Sequence, residues 1–132
     1  MGNRGRAALI VVQIVASVVA CYSSMTLGEC ELNQHDHWWS IEIQYPTIEG
    51  DNKFNTAVRQ HVTALATGFR KGLPRTASKG YPDYGAYLKG NYTADVLKDG
   101  IVSVLFNYEE YTPGAVHPRG MLASMNYDPR RG

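Results

Sequence analysis

This sequence has almost no net charge. Thirteen Lys and Arg stand against twelve Asp and Glu, +1 in all, and without a leader that contains Arg4 and Arg6 the balance is 11 against 12, or −1. Nucleic acid is excluded as a partner on that ground, because phosphate-backbone binding is carried by clustered cations. Cysteine is scarce too: Cys21 and Cys30 are the only two, so one intrachain disulfide is the most the chain can make. Histidine numbers four, with no framework of further ligands around any pair. Internal repeats and low-complexity tracts are absent, which excludes solenoids and arrays. What is present is the balance of a folded chain, 44% hydrophobic and 19% charged over 132 residues, long enough for one domain.

The first twenty residues read as a secretory signal peptide. MGNRGR is cationic, AALIVVQIVASVVA is apolar, and small or aliphatic residues precede Cys21. As a helix the apolar run spans about 21 Å, short of the roughly 30 Å hydrocarbon core, so cleavage is favoured over a permanent span. Val18-Val19-Ala20-Cys21 resembles a bacterial lipoprotein box, although an ordinary signal peptidase also accepts a cut after Ala20. Lipidation of Cys21 leaves Cys30 a lone thiol; without it, Cys21 and Cys30 are available to pair in an oxidising space. Membrane contact is expected only through a lipid anchor or an uncleaved leader. Residues 21–37 carry no periodicity and read as a linker.

Beyond the linker, Trp39, Ile41, Ile43 and Tyr45 alternate with Trp38, Ser40, Glu42 and Gln44, the mark of a half-buried strand, and Pro46 is expected to stop it. Between Asp51 and Lys71 the period lengthens: Phe54, Val58, Val62, Leu65 and Phe69 form one stripe, with Ala57, His61 and Ala66 at its margins. Asp51 or Asn52 caps that helix, and Gly72 with Pro74 ends it. GLPRTASKGYPD is a surface loop. Leu88, Tyr92, Ala94 and Val96 restore strand character, Gly90 reads as a bulge, and Lys98-Asp99-Gly100 supplies a tight turn. Two last alternating runs, Val102 to Tyr108 and Met121 to Tyr127, flank TPGAVHP and form an antiparallel hairpin. The class is α+β: one amphipathic helix packed on a largely antiparallel sheet of about four strands, over residues 38–132.

Three groups of residues invite chemistry. His117, in the hairpin loop, has Glu109, Glu110 and Asp128 as positional partners, but no nucleophile with a matching base accompanies it. His35 and His37 face the same way in an extended chain and offer two metal ligands where three or four are needed. Neither a metal nor another cofactor is expected, and no catalytic residue is assigned. Tyr81, Tyr84 and Tyr87, with Trp38, form a candidate aromatic platform for a protein or a cell-wall glycan, and His117 joins them as a candidate binding residue.

Tyr45-Pro46, a helix from Phe54-Asn55, Ile101-Val102-Ser103-Val104, Tyr108 to Tyr111, Gly114-Ala115-Val116-His117-Pro118 and Asn126-Tyr127-Asp128 follow one another in this chain. In that order they resemble a bacterial envelope family, the domains of unknown function numbered 4163 and 3298. Such domains stand outside the membrane in the lysozyme-sensing anti-sigma-V factor and ahead of the catalytic domain in peptidoglycan deacetylase C. The loop departs from the family's Gly-Gly-Ala-His; only the family's first half is covered, so the domain 38–132 is expected to be C-terminally truncated. The resemblance implies a non-enzymatic, extracytoplasmic binding or sensing domain, periplasmic or lipid-anchored, related to lysozyme or the cell wall. The alternatives are a small envelope hydrolase or metal-dependent enzyme using His117, and a non-functional fragment.

Overall fold

The computed structural model describes residues 25–73 and 85–131. Five strands and one helix follow in the order β1 (Leu27–His35), β2 (Trp39–Ile48), α1 (Asn52–Lys71), β3 (Ala86–Val96), β4 (Val102–Tyr111) and β5 (Arg119–Tyr127). The strands lie side by side in chain order. The α+β class and the single helix on a sheet hold, but the described sheet has five strands rather than four and is mixed: β2 and β3 pair in parallel, and the other three pairings are antiparallel. The parallel pair follows from the helix, since a chain that leaves β2 and crosses over through α1 returns in the same direction. Among the described residues, no helix is long and apolar enough to cross a membrane.

The added strand is β1, within the stretch read as linker. It pairs with β2 from Leu27↔Ile48 to His35↔Ser40. Backbone hydrogen bonds hold it with little apolar help: Glu31, Asn33 and His35 point to the open side, Glu29 accepts from Tyr92 Oη at 3.0 Å, and Leu32 is the apolar residue of β1 packed against the core.

Pro46 does not stop β2, which runs on to Ile48. Glu49 N bonds Thr26 O at 3.0 Å, so by the alternation of an antiparallel ladder the odd residues of β2 bond β1 and the even ones face away. Pro46 thus turns its nitrogen to the side that β3 has left, the last β2–β3 pair being Ile43↔Gly90. A proline there removes no ladder bond. Two residues on, the same exposed side is closed by a side chain: Asn55 Oδ1 accepts from Ile48 N at 2.8 Å, and Asn55 Nδ2 donates to Ile48 O at 2.9 Å.

Helix α1 begins as its sequence predicts, with Asp51 as N-cap accepting from Phe54 N at 3.0 Å. Arg70 and Lys71 occupy the last turn, where cations complement the helix dipole, and Arg70 also bonds Gln34 of β1. The buried stripe is Phe54, Val58, Val62, Ala66 and Phe69; Ala66 replaces Leu65, which is only partly covered. It packs on Ile41, Ile43, Leu88, Val102, Val104 and Phe106, all at most 1% exposed. Each of the larger side chains contributes roughly 1.5 to 3 kcal/mol by leaving water. The helix therefore takes one face of the sheet, and no other described element covers the opposite one.

At the hairpins the expected turns are present. Gly100 has φ 85° and Asp99 Oδ1 accepts from Ile101 N at 3.2 Å. The β4–β5 hairpin closes at Glu110↔Arg119 around the predicted loop, with Gly114 at φ 99°. Gly90, by contrast, is no bulge, because it pairs in register with both Ile43 and Tyr108.

Candidate functional site

The side chains of the open face fall into rows that cross the strands. One row is Ser40, Tyr87 and Tyr111; the next is Asn33, Glu42, Lys89, Glu109 and Gly120. Beyond it, Glu31 pairs with Gln44, and Asn91 with Asn107. Neighbouring rows are two residues apart, or about 6.6 Å, so an aromatic, a charged and an amide band succeed one another along the strands.

Two depressions are cut into these bands. The larger, about 410 Å³, is lined by Glu31, Glu42, Gln44, Lys89, Asn107 and Glu109 among others. The second, about 340 Å³, is lined by His37, Trp38, Trp39, Tyr87, Glu42 and Lys89 among others. Glu42 and Lys89 belong to both, which makes them adjoining parts of one trough along the strands.

Tyr87 is the best anchored side chain in it. Its hydroxyl donates to Glu109 Oε2 at 2.7 Å, its ring stacks on Tyr111 at 5.8 Å and 25°, and Lys89 Nζ lies 5.0 Å from the ring centroid. The hydrogen bond to the Glu109 carboxylate, then burial, raise the Tyr87 hydroxyl above its ordinary pKa, so it remains a donor.

Of the residues singled out in the sequence, Trp38 and Tyr87 come together in this trough. His117 does not join them: it is exposed in the β4–β5 loop, where its Nδ1 lies 3.0 Å from Pro118 O. The carboxylates near it in sequence are engaged elsewhere, Glu109 by Tyr87, Glu110 by Arg119 at 2.6 Å and Asp128 by Arg130 at 3.0 Å. His37 bonds Asp36 at 2.9 Å, and no group of three metal-ligating side chains occurs among the described residues. Tyr81, Tyr84, Cys21 and the segment 1–20 read as a signal peptide lie outside the described residues. Cys30 is an exposed free thiol on β1. Tyr111, Glu42, Lys89 and Asn107 were not singled out as a site, and Glu109 was named only beside His117. Their signal is the polar phase of each strand's alternation, which marks a solvated face and not which part of it is concave.

A second polar pair lies under the helix. His61 Nε2 and Tyr108 Oη are 2.9 Å apart, and the His61 ring is 4.9 Å from Phe106. Burial lowers the His61 pKa below 6.5 and raises that of Tyr108. The unfolded chain therefore binds the His61 proton more readily than the folded one, and stability is complete above about pH 6.5 and falls as pH drops toward the lower folded value. Urea unfolding at pH 7.5 and 5.5 should show this loss in the native protein and a smaller one in His61→Gln; equal losses in both would remove His61 as the cause.

The profile of the family described as deacetylase PdaC matches residues 32–119, more than half of the chain. The chain belongs to that family. The match runs from β1 to the start of β5 and includes all three bands of the open face except Glu31 and Gly120. Among solved structures, a DUF3298 family protein from Pseudomonas aeruginosa PAO1 superposes with a TM-score of 0.55 at 17% identity, over 81% of this chain and 53% of that protein. A DUF3298 family member from Bacteroides fragilis NCTC 9343 gives a TM-score of 0.44 at 16% identity, over 81% of this chain and 57% of that one. This chain thus spans about half the length of either structure. The first likeness is one of fold, and it agrees with the resemblance carried by the sequence motifs. No curated protein matches the chain.

Proposed function

We propose that this chain is a non-enzymatic binding or sensing domain of the bacterial envelope, presented outside the cytoplasm and directed at the cell wall or at a protein, such as lysozyme, that acts on it. The observation that carries this reading is the open face: a helix covers one side of the sheet, and the other holds a trough with Trp38 and the anchored Tyr87 along its aromatic band. Pockets that combine an aromatic surface with converging polar groups are the usual form of a ligand site. Export rests on the leader, whose cationic and apolar parts precede Cys21. Binding is favoured over hydrolysis by the setting of His117, whose ring has Pro118 O as its hydrogen-bond partner among the described residues and no carboxylate to orient it.

The test is thermal unfolding with lysozyme or with soluble peptidoglycan fragments, alongside an assay for cleavage of those fragments. A ligand of the native state raises the melting temperature, by the equivalent of about 2.7 kcal/mol at a hundredfold excess over Kd. The expected result is a rise with one of them that Tyr87→Ala diminishes, and no turnover. Turnover that His117→Ala abolishes without changing the melt would establish the hydrolase instead.

A further inference from the structure

We infer that the trough takes an oligosaccharide that is uncharged or carries amines, laid along the strands from the Trp38 and Tyr87 band to the Asn91 and Asn107 band. This rests on the reading of the open face as a binding surface and adds the chemistry of what is bound. Three observations carry it.

The first is what the walls lack. Among the described residues, no Leu, Ile, Val or Met lines either depression. A peptide helix or an apolar segment docks by seating several large side chains in an apolar groove, and this trough has no such groove. Its walls are aromatic rings, carboxylates and primary amides.

The second is the charge. Glu31, Glu42 and Glu109 stand against Lys89 alone in the larger depression, and Lys89 is paired across the sheet with Glu42 on one side and Glu109 on the other. A polyanion entering there meets like charge and one cation already flanked by two carboxylates. A hydroxylated or amine-bearing ligand meets acceptors.

The third is the arrangement of donors and acceptors. Gln44, Asn91 and Asn107 each present both a carbonyl and an NH₂ group, and the glutamates accept only; a sugar hydroxyl, which donates and accepts, can satisfy all of them. At the other end, half-buried Trp38 and Tyr87, the latter stacked on Tyr111, line the trough with aromatic surface against which the C–H side of a pyranose can rest. Lys89 over the Tyr87 ring is an exposed contact that a stacking ligand displaces at small cost. From Tyr87 to Asn91 the bands cover four residues, or about 13 Å, a length suited to a short oligosaccharide.

The experiment is an amide-resolved NMR titration of the full chain with three oligosaccharides of equal length: N-acetylated chitopentaose, its deacetylated counterpart and pentagalacturonate. Lysozyme is titrated in parallel. The expected result is that one or both of the first two shift the amides around Trp38, Tyr87, Lys89 and Asn107 while the galacturonate does not. Tyr87→Ala and Asn107→Ala, at opposite ends of the trough, should each weaken that binding at least tenfold with the rest of the spectrum unchanged. Binding of the galacturonate as tightly as of the other sugars overturns the inference. So does lysozyme shifting these amides while no sugar does, although the binding role of the face then stands. If nothing shifts them, both fall together.

Discussion

Gly90→Val is expected to remove about 3 kcal/mol of stability, a large part of the 5 to 15 kcal/mol that a small domain has. Gly90 lies in the middle of the sheet, and a Cβ added to it would stand 2.6 Å and 2.8 Å from two ring carbons of Tyr108 and 3.2 Å from Ile43 Cγ2. Such contacts are cheap when the neighbour is a side chain free to swing. Tyr108 is not: it is 2% exposed, stacked on Phe106 at 5.8 Å and 5°, and hydrogen-bonded to His61. The backbone at Gly90 is not in the left-handed region, so the requirement is for space and not for conformational freedom. Replacing a strand glycine ordinarily gains roughly 0.5 to 1 kcal/mol from reduced chain entropy, and here the clash exceeds that gain. Urea unfolding should show the midpoint falling in Gly90→Ala and further in Gly90→Val. In a Tyr108→Leu background, where the ring is gone, Gly90→Ala should cost much less than it does alone; additivity of the two changes would show that the ring is not the obstacle.

Gly90 also shows where the sequence stops being legible. A glycine inside an alternating run signals either a bulge or a close approach, and the choice depends on a residue eighteen positions away. The same holds for Pro46. Its effect on β2 could be judged only by knowing which edge its nitrogen faces and how far β3 accompanies it, and both are properties of the assembled sheet. Strand β1 escaped for another reason. An edge strand held through its backbone has no need of an apolar phase, and Glu29, Glu31, Asn33 and His35 gave no period to detect. Where burial is one-sided and local, the reading held. The stripe from Phe54 to Phe69, the Asp51 cap, the Asp99-Gly100 turn and the hairpin around TPGAVHP are all features whose cause lies within a few residues.

The candidate site divides along the same line. Trp38 and Tyr87 were legible because aromatic side chains on the solvent phase of a strand are unusual, whereas Glu42 and Lys89 looked like ordinary solvated positions and Glu109 stood out only beside His117. Their row exists only through the registers Glu42↔Lys89 and Lys89↔Glu109. One residue of slip in either pairing would turn that strand's polar set toward the helix. The packing under α1 that fixes the register is thus what assembles the open face, and it links stability on one side of the sheet to binding on the other.

That link makes Phe54→Ala the most damaging substitution of a helix residue, with an expected loss of about 3 to 5 kcal/mol. Phe54 is fully buried, and its ring lies 5.1 Å from that of Tyr127 at the end of β5. Asp51 ties the same two residues together, since its Oδ1 accepts from Phe54 N and from Tyr127 Oη, both at 3.0 Å. Losing the ring leaves a cavity that the helix cannot close by settling inward, because its far end is held by buried Phe69 and by the bond from Arg70 to Gln34. Asp51→Ala removes the cap and the Tyr127 bond but no volume, and should cost about 1 to 2 kcal/mol; Tyr127→Phe removes only the hydroxyl and should cost less again. Hydrogen exchange distinguishes these cases. In Phe54→Ala the β5 amides from Met121 to Tyr127 should open before those of β3 and β4, since among the described strands β5 pairs with β4 alone and loses its packing on the helix start. Uniform opening of all strands would mean that Phe54 supports the whole core equally and that β5 has no separate tether.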